Sequence, residues 1–141
     1  MSDEDLNNLV KIGKLKPEEC KRTEFVGLIN SAKKRLADAR DEELSPESRF
    51  DLAYNAAHAF ALAALRLKGY RPGGRYLVFQ ILANTAGVGP EIWRVLAKCH
   101  NSRNLAEYEG YSEVDEKLLD DLIRCTTVLE AAIGKLAPPP E

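Results

Sequence analysis

The chain has 141 residues, 45% of them hydrophobic and 30% charged, with a formal net charge of −2. That length supports one domain with an apolar core, without disulfides or metals to staple it. No apolar run approaches the ~20 residues that a membrane-spanning helix needs. The start, Met1-Ser2-Asp3-Glu4-Asp5, is acidic and no apolar stretch follows it, which predicts a cytoplasmic protein with no secretory signal.

Apolar residues recur at three and four rather than at two, so the predicted class is all-α. The expected architecture is an up-and-down bundle of four to five helices with a short extra N-terminal helix. Residues 1–20 form an N-terminal arm, 21–136 the bundle and 137–141 a flexible Pro-rich tail. The short helix covers about Asp3 to Ile12 and stops near Gly13. A second helix starts at Pro17 or Arg22 and runs to Arg40, with Phe25, Leu28, Ile29, Ala32 and Leu36 as its apolar stripe. Its charged face, Lys33, Lys34, Arg35 and Asp38, is the solvated side.

Ser45-Pro46-Glu47 predicts the next start: a hydroxyl to cap, a proline where no amide donor is needed, and a carboxylate at the positive helix end. This helix continues to Lys68 and is stopped by Gly69. Its alanines, from Ala53 to Ala64, permit close approach of neighbours, while Phe50, Tyr54, Phe60, Leu62 and Leu65 fill the gaps, which marks it as the central helix. Residues 69–74 form a turn. A helix from Arg75 to Thr85 follows, broken by Gly87, Gly89 and Pro90, and the chain restarts at Pro90-Glu91 to reach about Glu107. Gly110 ends that segment. The last helix runs from about Glu113 to Lys135, and residues 137–141 fray.

Cys20, Cys99 and Cys125 are odd in number and widely spaced, which predicts reduced, packed thiols. His58 and His100 are the two histidines, and no carboxylate cluster stands at ligand spacing around either. No metal or cofactor is therefore expected. The charge is segregated: Arg66, Lys68, Arg71, Arg75, Arg94, Lys98 and Arg103 stand in residues 66–106 against Glu91 alone. Such a basic middle is what a phosphate-binding face requires, unless the cations are spread round several helices.

Two stretches carry a resemblance. Tyr54-Asn55-Ala56-Ala57-His58-Ala59-Phe60, with Ala64-Leu65-Arg66-Leu67-Lys68-Gly69-Tyr70-Arg71-Pro72, is followed downstream by Arg103-Asn104 and Tyr108. Together they resemble the HEPN (higher eukaryotes and prokaryotes nucleotide-binding) family, over about residues 45–135. The resemblance implies a small helical bundle that often forms a homodimer and binds RNA or nucleotides. Many members are metal-independent ribonucleases with Arg, a polar residue, and then His after four to six intervening residues. Here Arg103 and Asn104 match, but Tyr108 stands where the histidine belongs.

That departure matters chemically. Attack by the RNA's own 2′-hydroxyl needs a group that exchanges protons near pH 7, which His does with a pKa of ~6.5 and Tyr, at ~10, does not. Tyr108 can still hydrogen-bond phosphate or stack on a base. Arg103 suits phosphate through its planar fork of donors, although a surface pair with Glu107 would also account for it. His100 lies one turn before Arg103 on nearly the same face and offers a substitute proton carrier; His58 reads as a hydrogen-bonded interior residue. The candidate catalytic set is Arg103, Asn104, Tyr108 and His100. The candidate nucleic-acid contacts are Arg103, Asn104, Arg71, Arg75, Lys98 and Tyr70.

Arg103 and Tyr108 fall about 140° apart on an uninterrupted helix. They share a site only if the helix unwinds or if Tyr108 acts across a dimer interface. The reading is thus an RNA- or nucleotide-binding domain whose ribonuclease motif is degenerate. The alternatives are an active metal-independent endoribonuclease toxin using His100 or His58, and a protein-interaction module partnering a nucleotidyltransferase.

Overall fold

A computed structural model describes residues 3–109 and 114–140, and the side chains of all of these except 3 and 104–109. The described chain is mostly helical: α1 (Asp3–Lys11), α2 (Arg22–Ala39), α3 (Pro46–Leu67), α4 (Arg75–Gln80), α5 (Leu82–Thr85), α6 (Pro90–Glu109) and α7 (Glu116–Ile133). Two short strands, β1 (Leu15–Pro17) and β2 (Tyr70–Pro72), pair antiparallel. No helix among the described residues is long and apolar enough to cross a membrane.

Helix α3 is the centre, as its alanines predict. Ala53, Ala56, Ala57, Ala61, Ala63 and Ala64 are wholly buried, so α2 and α7 pack close along it while Tyr54, Phe60 and Leu65 fill the space between. Helices α2 and α3 run antiparallel. Near one end Arg49 donates to the Ala39 carbonyl, and near the other Arg66 reaches Glu24. Helix α6 packs on α7 and α4, so α3, α4 and α6 meet along one side of the bundle.

Local chemistry sets the boundaries. The Ser45 hydroxyl accepts from the Ser48 amide at 3.1 Å and Pro46 opens α3, as the sequence predicts. Ser45→Ala is expected to lower stability by about 1 kcal/mol, read as a shifted urea midpoint at unchanged m-value. Gly69, at φ +91°, turns the chain out of α3 in a conformation that disfavours any side chain. Helix α7 begins later than expected, because Asp115 serves as its cap and accepts from the amides of Lys117 and Leu118.

Of the two starts that the sequence offers for α2, the chain takes Arg22, and Pro17 lies in β1. Three expectations are corrected. Residues 70–72 form a strand rather than part of a turn, paired in register Leu15↔Pro72, Lys16↔Arg71 and Pro17↔Tyr70. A proline sits in each terminal pair and lacks the amide donor that would extend the ladder, which keeps it short. The expected helix from Arg75 to Thr85 breaks at Ile81, giving α4 and α5. Finally, the tail lies against α2: Pro139 is buried and its carbonyl accepts from Arg22 Nη1 at 3.4 Å.

The arm is integrated with the bundle. Leu6 of α1 and Leu15 of β1 are buried in the same apolar core as α3. Beneath the strand pair, Arg66 is fully buried and donates to both Glu24 carboxylate oxygens and to the carbonyls of Glu18, Glu19 and Tyr70. Those five bonds use all five guanidinium donors.

Candidate functional site

Three helix faces converge beside the centre of α3. Asp51, Tyr54 and His58 are spaced three and four apart and share one face of that helix. His100 and Arg103 sit three apart on α6, and Tyr76 and Phe79 three apart on α4. Phe79 is fully buried and forms the floor, with its ring edge-on to Tyr54 at 5.9 Å and to His58 at 6.0 Å.

Tyr54 links the site. Its side chain is fully buried, and its hydroxyl lies 2.8 Å from His100 Nδ1. A buried phenol needs such a partner. The bond also fixes the imidazole. If Tyr54 donates, Nε2 of His100 carries a proton and can donate to a ligand oxygen; if Nδ1 donates, Nε2 is left as a base. The guanidinium of Arg103 lies over the Tyr54 ring at 5.1 Å, and its Nε is 3.4 Å from Asp51 Oδ1. Asp51 is mostly exposed, so solvent screens that pair to about 0–1 kcal/mol, and a phosphate can compete for the same fork.

The electrostatics favour an anion. Burial lowers the pKa of His58 to about 4, with further lowering from the charges of Arg75, His100 and Arg103. Burial also lowers that of His100, assisted by Arg75 and Arg103. Two arginines therefore act on two histidines that are neutral at pH 7. Asp51, at the rim, is a carboxylate paired with Arg103.

The structure sorts the candidate residues into groups. His100 and Arg103 come together as their spacing on one helix face predicts, and Arg75 reaches them through its charge. Tyr70 and Arg71 belong to the strand pair at the arm. Arg71 Nε donates to Glu18 at 2.7 Å, and its guanidinium also pairs with Glu24. Lys98 is exposed on α6 and, five residues before Arg103, faces about 140° away from it. The side chains of Asn104 and Tyr108 lie outside the described residues. Helix α6 nevertheless runs unbroken from Pro90 to Glu109, so it does not unwind between Arg103 and Tyr108.

Asp51, Tyr54, Tyr76 and Phe79 join the cluster without any motif in the sequence that marks them for it. The spacing of Asp51, Tyr54 and His58 on one face was a readable signal; the arrival of α4 beside them is tertiary. The basic middle segment is also less uniform than its composition, since Arg66 and Arg71 are held by Glu18 and Glu24 of the arm and α2. Cys20, Cys99 and Cys125 are buried free thiols, and burial pushes Cys99 up to about 12. They are poor nucleophiles. A groove of about 820 Å³ at the start of α2, lined by Cys20, Lys21, Arg22, Thr23, Val26 and Pro140 among others, shares no residue with the cluster.

No protein-family model matches the chain, and neither does any curated protein or solved structure.

Proposed function

We propose that this chain is a HEPN-like domain that binds RNA or a nucleotide through phosphate at the cluster of α3, α4 and α6. The observation that carries the reading is the convergence of Arg75 and Arg103 on His58 and His100 over an aromatic floor. Phosphate oxygens accept from the Arg103 fork and from His100 Nε2, while Arg75 adds charge from the exposed start of α4. Stacking on Tyr54 orders the Arg103 side chain before a ligand arrives, which lowers the entropy lost on binding.

On this reading the ribonuclease motif is degenerate at Tyr108, and binding dominates over turnover. A homodimer would give Tyr108 a route to the Arg103 of a second copy that the continuous α6 denies it within one chain. Arg103→Ala is expected to weaken a fluorescent RNA oligonucleotide on the order of tenfold and to reduce the salt slope of binding by about one unit. Unchanged affinity and unchanged salt slope would remove the site. A nucleotidyltransferase that co-purifies with a chain lacking RNA affinity would replace the reading with an interaction module.

One observation favours a second reading, the metal-independent endoribonuclease. The Tyr54 hydroxyl orients His100, and burial, with Arg75 and Arg103, disfavours the protonated imidazole that could not serve as a base for the 2′-hydroxyl. RNA cleavage in EDTA that vanishes in His100→Gln would establish it. Intact RNA at saturating protein would leave binding alone.

A further inference from the structure

We infer that the ligand is a polynucleotide rather than a mononucleotide, and that its phosphate backbone leaves the pocket at Arg75 and runs over Gly74 and Gly73 onto Lys14 and Lys16 of the arm. The inference rests on the phosphate-binding reading above and adds the class of ligand and the direction in which it leaves. Arg75 is the first residue of α4 and its side chain is exposed, while its charge acts on His58 and His100 inside the cluster. Two residues earlier, the Gly73 amide donates to the Lys14 carbonyl at 3.0 Å. The arm therefore touches the chain at the entrance to α4.

The two backbones lie so close there that a Cβ at Gly73 would sit 3.2 Å from the Lys14 oxygen. Gly73 and Gly74 are exposed, and neither carries a side chain to stand between Arg75 and Lys14. Leu15 is buried in the core, so Lys14 and Lys16, one on either side of it, both face solvent. A strand rise of ~3.3 Å per residue sets their Cα atoms about 7 Å apart, a spacing at which each meets its own phosphate.

The charge balance of the arm leaves these lysines for a ligand. The carboxylates of Glu18 and Glu24 at the strand pair are matched one for one by Arg66 and Arg71, and Glu19 lines the separate groove at the start of α2. Lys16 feels the Glu18 charge, but both oxygens of that carboxylate are already taken by Arg71, at 2.7 and 3.1 Å. None of Lys14, Lys16 and Arg75 is ion-paired with a described carboxylate. A polynucleotide supplies a phosphate with every nucleotide along such a path, and each one neutralised there releases counterions.

Anisotropy titrations of a fluorescent RNA dodecamer and of a labelled dinucleotide, over a range of salt, test the path. Lys14→Gln/Lys16→Gln is expected to weaken the dodecamer on the order of tenfold and to reduce its salt slope by about 1.4, the share of two phosphate contacts on a single strand, while the dinucleotide binds as before. Lys33→Gln/Lys34→Gln, which removes the same charge from the solvated face of α2, should leave both ligands as in wild type. Thermal melting shows that each variant is folded. Unchanged affinity and slope for the dodecamer in the arm variant overturn the inference, and so does an equal loss in the α2 variant or one shared by the dinucleotide. If Arg103→Ala weakens both ligands while the arm variant weakens neither, the pocket stands and the path falls. If the arm variant weakens the dodecamer while Arg103→Ala does not, the pocket reading falls, and with it the path that starts there.

Discussion

Arg66→Met is expected to lower stability by about 3–5 kcal/mol, a large share of the roughly 5–15 kcal/mol that holds a domain of this size folded. Arg66 is wholly buried, and its five donors meet the Glu24 carboxylate and three backbone carbonyls. Removing the guanidinium strips those acceptors of partners in a place where water replaces them poorly. Methionine fills much of the volume, so the loss reports on polar satisfaction more than on a cavity. Lysine does not restore it, because a point ammonium with three donors cannot make a two-point contact with Glu24 and also serve three carbonyls. Urea melts of wild type, Arg66→Met and Arg66→Lys measure this, with thermal midpoints expected to fall by about 10–20 °C in the methionine variant. A change below about 1 kcal/mol would show that the arm is held by Leu6, Leu15 and the strand ladder instead.

The same residue shows where a linear reading stops. In the sequence, Arg66 and Arg71 count toward a basic segment that suggests phosphate. In the fold they are matched by Glu18 and Glu24, some fifty positions earlier, across a strand pair of three residues. Strands that short, each carrying a proline, leave no alternation to detect, and their partner is chosen by tertiary structure. The long helices were different. The stripe of α2, the alanine-rich α3 with its Ser45 cap and Gly69 stop, and the spacing of α6 and α7 are all local, and the helices follow them. The break at Ile81 and the seating of Pro139 depend on what lies beneath. For the site, the pairing of His100 with Arg103 was legible as one turn of helix. That His58, Tyr54 and Tyr76 join them depends on how α4 and α6 pack against α3, which no local pattern encodes.

His58 supplies the second large effect, a loss of stability as pH falls from 7 to 5. Its pKa is about 4 in the folded chain against 6.5 for an ordinary histidine, lowered first by burial and then by Arg75, His100 and Arg103. The folded state therefore resists a proton that the unfolded chain accepts. Stability contributed by the neutral form is fully present above pH 6.5 and is lost progressively as pH falls toward 4. At 1.36 kcal/mol per unit the whole transition is worth on the order of 3 kcal/mol, about 2 of it gone by pH 5. His100 is lowered as well and adds in the same direction. Glu18 and Glu24 do not interfere: their arginine partners hold them below the usual carboxylate range, so their contribution is lost only at lower pH. Urea melts at pH 7 and pH 5 should differ by about 2 kcal/mol or more in wild type, and by clearly less in His58→Gln. An equal pH dependence in both would show that His58 is not the group that titrates. A bound phosphate links this result to the proposed function. Its negative charge raises both histidine pKa values and offsets Arg75 and Arg103, so a saturating RNA oligonucleotide should shrink the acid loss in wild type, and by less in His58→Gln, where His100 alone remains to respond.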